Sequence, residues 1–239
     1  MLQHTAMKTN LVILLICLYN CLVSQTAQSE LEQCKLFLKH NPTDLESLYK
    51  ATDLLVYMGG QSDEKTYKLN CYIEAQRLAD ICYNHHSLAW QSNYAKALAY
   101  GALQQISNNS QFKKECAYNV KRWIDESLKI NPNHAASWSV LSLWHFKIAT
   151  QKGVEALFIR DLKNVADCHQ AKKHMIHAIN LSPFFLPYYL MLSRICIELG
   201  EYAEADKHAK HVLLEAGKQK DSFIVKKSHE ILSQIKTKK

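Results

Sequence analysis

A chain of 239 residues with 48% hydrophobic residues can bury a sizeable core, which excludes a disordered chain. Only 6 Gly and 4 Pro occur, and no Asn-Gly or Asp-Gly pair separates alternating runs, so sheet-rich folds and glycine-rich phosphate loops are excluded as well. The net charge of +7 gathers after Lys218, where Asp221 and Glu230 alone oppose the lysines, and it comes without the interleaved aromatics or known module that nucleic-acid recognition wants.

Residues 1–27 read as a signal peptide, or else an N-terminal anchor. Lys8 gives a basic flank, Leu11 to Leu18 is apolar without interruption, and Cys21 to Val23 extends the run. Ser24, Thr26 and Ala27 then supply the small and polar residues of a cleavage region. The apolar core falls short of the about 20 residues that a membrane span wants. Export to a periplasm, an envelope or the medium is therefore expected, with anchoring by residues 11–23 as the alternative. Residues 28–239 are expected to form a single helical-repeat domain.

Three proline breaks punctuate that domain: Asn41-Pro42, Asn131-Pro132 and Ser182-Pro183. Proline cannot continue a helix and pushes the preceding residue out of helical geometry, so each break is a helix-to-helix turn. Helices are expected near 44–58, 66–83, 87–106 and 112–130, joined by long early turns, with Asn84-His85-His86 standing where a further proline would be. A repeating helix-turn-helix unit of about 34 residues can be laid on the breaks. Its first helix gives Leu48, Ala51, Thr52 and Leu55, then Trp138, Leu141, Ser142 and His145, then Tyr189, Leu192, Ser193 and Cys196. Between the first two, Gln91, Tyr94, Ala95 and Leu98 give an ambiguous register. Second helices give Val120, Ile124 and Ser127, then Ala171, Met175 and Ala178. Small residues let backbones approach, and large ones, with Trp138 expected to be buried, fill the space between pairs to make one continuous core. Leu199-Gly200-Glu201-Tyr202 reads as the turn inside the last pair, with Ala205 opening its second helix.

The interval from Pro132 to Pro183 exceeds one unit by about half. The surplus, an insert near 150–166, holds Val154, Ala156, Leu157, Phe158, Ile159 and Leu162, an apolar set that suits a short helix packed on the array or a lip that meets a partner or membrane. Near 220–236, Phe223, Ile224, Ile231, Leu232 and Ile235 form an amphipathic stripe, which reads as the helix that caps the exposed core. The fold class is thus all-α, a tetratricopeptide-type α-solenoid, a right-handed superhelix of antiparallel helix pairs with a C-terminal capping helix.

No catalytic site is legible. His174 and His177 share a face, as do His208 and His211, but a metal needs a third ligand and no His-Glu-x-x-His motif exists. No metal, cofactor or small-molecule substrate is expected. Cys34, Cys71, Cys82, Cys116, Cys168 and Cys196 fall mostly at apolar helix positions and lack any Cys-x-x-Cys spacing, so they read chiefly as small hydrophobes, with disulfides as the alternative in an exported protein. The working surface is expected on the first helices, at Glu46, Tyr49, Lys50, Asp53, Gln91, Ser92, Ser139, Leu143, Phe146, Leu190 and Arg194, and on the insert at Leu157 and Phe158. The partner expected is an unidentified protein or peptide laid along the groove, with a membrane surface as the alternative.

Pro132-Asn133-His134-Ala135 through Trp138 and Trp144-His145-Phe146, the insert, Ala178-Ile179-Asn180-Leu181-Ser182-Pro183, Tyr188-Tyr189 and Glu198-Leu199-Gly200-Glu201-Tyr202 together resemble tetratricopeptide-repeat proteins related to the regulators of microtubule dynamics. The resemblance covers roughly 44–216. It implies a helical-repeat fold and, for the eukaryotic members, microtubule association. An export signal fits a secreted or periplasmic member of the bacterial kind better.

Overall fold

A computed structural model describes residues 27–219 and 221–238, and among these no strand occurs. The expected signal peptide lies outside the described residues, apart from Ala27. Among the described residues twelve helices follow one another: α1 (27–40), α2 (Leu45–Gln61), α3 (Lys65–His85), α4 (Trp90–Ile106), α5 (Ser110–Ile130), α6 (Ala135–Thr150), α7 (Val154–Phe158), α8 (Arg160–Lys163), α9 (Cys168–Leu181), α10 (Leu186–Glu198), α11 (Tyr202–Gln219) and α12 (Ser222–Lys238). No described helix is long and apolar enough to cross a membrane.

Four hairpins pair α2 with α3, α4 with α5, α6 with α9 and α10 with α11. First helices also touch one another, α2 against α4, α4 against α6, α6 against α10, and α10 against α12. They make one layer of a two-layer all-α solenoid, with α3, α5, α9 and α11 as the other. One turn design links the hairpins. The N–H groups of Asp44, Ala89, His134 and Phe185 donate to the carbonyls of Asn41, His86, Asn131 and Ser182 respectively. In each case the turn's first residue also caps the preceding helix, as Asn41 does to Phe37 and His86 to Cys82. The break that lacks a proline is thus built like the three that have one, with Ser87 in the proline's place.

Buried hydroxyls and small residues bring the layers together. The Ser142 hydroxyl donates to the Ala171 carbonyl at 2.6 Å, the Ser127 hydroxyl to the Trp90 carbonyl at 3.1 Å, and the Trp144 indole to the Ala117 carbonyl at 2.8 Å. Leu48, Ala51, Thr52 and Leu55, then Val120, Ile124 and Ser127, then Ala171, Met175 and Ala178 are all buried where the repeat template places them. Five of the six described cysteines are buried, and all six are free thiols. Gly200, with φ of 76°, closes α10: the following Glu201 N–H reaches back to the Cys196 carbonyl at 2.8 Å.

Three expectations change. The early turns are short, not long, because the surplus length is taken up by helices of 21 residues in α3 and α5. The second hairpin's register lies two positions later than Gln91, Tyr94, Ala95 and Leu98. The shared turn puts Asn93, Lys96, Ala97 and Tyr100 in line with Leu48, Ala51, Thr52 and Leu55. Lys96 can stand there because Asp80 pairs with it and the Tyr100 and Trp123 rings flank its ammonium. Trp138 is half-buried, its indole donating to the Pro132 carbonyl at 2.7 Å. The fully buried core divides into clusters, chiefly one under α1–α3 and one under α9–α12, and half-buried Trp138, Tyr100 and Val140 bridge the later ones.

The insert is two short helices. Ile159 and Leu162 are buried against Ala117, Val120, Trp144 and Ile148, while Glu155 pairs with Lys113 at 2.8 Å and Asp161 with Lys114 at 3.2 Å. At the far end α12 lays Ile224, Ile231 and Ile235 on the α9–α11 core, as a cap does.

Candidate partner-binding groove

Successive turns of the solenoid crowd the first helices around one face. On α2, Glu46, Tyr49 and Asp53 fall on one stripe. The Tyr49 ring meets Trp90 edge-on at 5.6 Å and Tyr94 at 5.7 Å, and the Tyr94 hydroxyl donates to the Asp53 carboxylate at 3.4 Å. His134 closes the cluster, its ring 4.2 Å from Trp90 and 4.8 Å from Tyr94. Tyr188 of α10 lies near enough to Asp53 for that charge, after burial, to raise its hydroxyl. Tyr49, Trp90, Tyr94 and His134 therefore form one crowded cluster on the first-helix layer.

That crowding sets the electrostatics. Asp53 is open to solvent, yet the protein around it raises its carboxyl above the usual range, against the hydrogen bond from Tyr94. Burial raises the Tyr49 hydroxyl, helped by Asp53 and Glu46. Burial also pulls the His134 imidazole down to about 4, so it packs as a neutral ring. Lys147 of α6 is pulled down by burial alone and lines a cleft of about 320 Å³ with Gln104, Gln105, Lys113, Gln151 and Glu155.

Of the residues expected from sequence, the fold gathers Tyr49 and Asp53 here, while Ser139 on α6 is half-buried with its hydroxyl donating to the Ala136 carbonyl at 2.8 Å. Phe146 is half-buried against the α9–α12 core, and Leu143 is half-buried on the same helix. Arg194 is exposed on α10, where its charge lowers the Glu230 carboxyl of α12 after the larger effect of Lys227. Lys50 does not join them: its ammonium turns to Glu30 of α1 at 3.1 Å, because it sits beside the stripe and not on it. Gln91 stands in the first turn of α4, half-buried. Ser92 is buried with its hydroxyl donating to the Cys82 carbonyl at 3.2 Å, and Leu190 is buried in the core. Leu157 and Phe158, 73% and 44% exposed, lie on the insert against the other layer and away from the groove. Sequence reasoning passed over Trp90, His134 and Tyr188. Matching His86 to Asn131 by position in the turn is the signal that would have found Trp90 as the first residue of α4.

The paired histidines have a packing role. His174 stacks on Trp138 at 5.3 Å and His177 meets its edge at 4.6 Å, while His208 and His211 hold Tyr189 at 5.9 and 4.9 Å. Each pair on a second helix clasps the aromatic of its own first helix. Cys196, Glu201 and Glu204 also come together, but Lys172 sits between the two carboxylates at 2.6 Å from each. A cation is therefore already supplied by the protein. Burial pushes the Cys196 thiol up to about 12, with Glu204 adding to it.

Comparison with known proteins agrees with this architecture. The chain is similar to TTC0263, a thermophilic tetratricopeptide-repeat protein of Thermus thermophilus, at 17% identity, covering 84% of this chain and 88% of that one with a TM-score of 0.63. A monomeric mutant of IFIT1 solved with m7Gppp-AAAA is similar at 12% identity over 89% of this chain and 55% of that one, with a TM-score of 0.43. No curated protein matches the chain. The family model described as regulator of microtubule dynamics protein 1-3 matches residues 19–236. Covering nearly all of the helical array, that match means that the chain belongs to the regulator of microtubule dynamics protein 1-3 family.

Proposed function

We propose that the protein is a non-catalytic scaffold that holds an extended or helical segment of a partner protein along the face of its first helices. One observation carries the reading. Side chains of mixed chemistry, Glu46, Tyr49 and Asp53 on α2, Leu143 and Phe146 on α6 and Arg194 on α10, stand on the first-helix layer with some surface open to solvent. Rigid helices that present such a row fix the spacing of anchors without ordering a loop. Selection of binding peptides from a display library on the full chain tests it. Enriched peptides should lose binding on a Leu143→Glu/Phe146→Glu variant and keep it on Leu88→Glu, an exposed turn residue. The reverse pattern would sink the reading.

A second reading is favoured by Val154 and Leu157, which stand exposed on the insert, together with the lysine-rich C-terminal segment. In it the protein lies on an anionic membrane surface. Co-sedimentation with vesicles containing anionic lipid should fall when Leu157 and Phe158 are changed to Asp; no binding by the unaltered protein rejects it. The apolar run from Leu11 to Leu18 supports an exported location, for which N-terminal sequencing of the mature chain is the measurement.

A further inference from the structure

We propose that the α2 wall of the groove carries a subsite for one cationic side chain of the bound segment, with the Asp53 carboxylate as counter-ion and the half-buried ring of Tyr49, backed by the buried Tyr94, as its wall. The inference rests on the groove reading above and names what that groove selects.

Asp53 is exposed to the groove, and its one hydrogen bond among the described residues, from Tyr94 at 3.4 Å, is long. A carboxylate has about four acceptor sites, so most of its capacity is unused. The chain is rich in cations, with a net charge of +7, yet among the described residues none forms an ion pair with Asp53 or Glu46. Lys50, the nearest cation in sequence, is committed to Glu30 on α1. An acid left unpaired in a basic protein, in a space crowded by neighbouring helices, is a ready counter-charge for an incoming cation.

The aromatic surroundings select the kind of cation. Tyr49, Trp90 and Tyr94 meet at 5.6 and 5.7 Å through Tyr49, and aromatic faces attract ammonium and guanidinium groups. A planar guanidinium can lie along a tyrosine ring while donating to a carboxylate, which makes arginine the better fit and lysine the second. An acidic segment would meet the like charges of Glu46 and Asp53. A divalent metal would want several oxygens at once, but these two carboxylates lie two helical turns apart, about 10 Å along the axis.

The test is titration of the full chain with acetyl-Ala-Arg-Ala-amide and with its citrulline counterpart, which keeps the shape and loses the charge. The Trp90 indole N–H is the nuclear magnetic resonance reporter. The arginine peptide should shift it saturably, and the citrulline peptide should bind about tenfold more weakly. Asp53→Asn should abolish that difference with its melting curve unchanged, while Lys50→Gln should keep it. Equal binding of both peptides, no saturable shift by about 50 mM, or a difference that survives Asp53→Asn overturns the subsite. The groove reading fails separately. Display-selected peptides that depend on Leu143 and Phe146 but ignore Asp53→Asn remove the subsite and leave the groove.

Discussion

Acidification should weaken the fold through two half-buried imidazoles. His134 is pulled down to about 4 by burial between Trp90 and Tyr94. His174, stacked between Trp138 and His145, is pulled down to about 4 by burial first and then by the nearby charges of His145, Lys173 and Lys121. In the unfolded chain both would titrate near 6.5. Below that pH the unfolded chain binds protons that the folded chain refuses. The stabilisation is therefore complete above about pH 6.5 and drains as the pH falls toward about 4. One refused proton changes stability by at most about 1.4 kcal/mol per pH unit, so a shift of this size is worth about 2 kcal/mol per histidine between about pH 7.5 and about pH 5. Both rings are only partly buried, and solvent screening reduces this to about 1 kcal/mol each, or about 2 kcal/mol together. Urea unfolding followed by circular dichroism at the two pH values checks it against a His134→Gln/His174→Gln variant. The unaltered protein should lose about 2 kcal/mol more than the variant over that interval. Contributions from carboxylates, Asp53 among them, are common to both proteins and cancel. Equal losses at unchanged denaturant slope would refute the reasoning.

Two glycine substitutions should move stability in opposite directions. A Cβ at Gly59 would stand 2.5 Å from the ring of the fully buried Tyr72 and 3.1 Å from Cys71, so Gly59→Ala should destabilise by about 1–3 kcal/mol despite better helix propensity. Nothing lies within 4 Å of the same atom at Gly217 in α11, so Gly217→Ala should stabilise by about 0.5–1 kcal/mol. Thermal melts of the two variants that shift the same way would contradict the packing at Tyr72. Met175, 1% exposed under α10 and α11, should cost about 2–5 kcal/mol when changed to Ala, and a melt within error of the unaltered protein would count against the template register.

Much of the array was legible because its signals are local. Pro42, Pro132 and Pro183 mark turns by removing a backbone donor, and the small-large-small series Ala171, Met175, Ala178 marks a second helix by volume alone. The second hairpin's register stayed ambiguous, and falls two positions later than first laid, because Ser87 stands where a proline would be and the turn's hydrogen bond is made by backbone atoms that any residue supplies. The groove was legible only in outline. Helical periodicity places Tyr49 and Asp53 on one stripe, but it does not say that α10 curls round to set Tyr188 near them, which depends on the summed rotation of all the hairpins. Lys50 was misplaced for a related reason: α1 lies before the first proline break, and nothing local announces that it packs beside α2 and offers Glu30.

The insert's position within its hairpin governs where this chain can change length. Residues added between α6 and α9 leave both helices in contact, so the angular phase handed on to α10–α12 stays the same. One residue added to a four-residue turn such as 131–134 would act on a lever arm as long as everything downstream, swinging the later hairpins away from α2. The outer edge is thus free to vary, whereas the proline turns hold the alignment that makes the groove a groove.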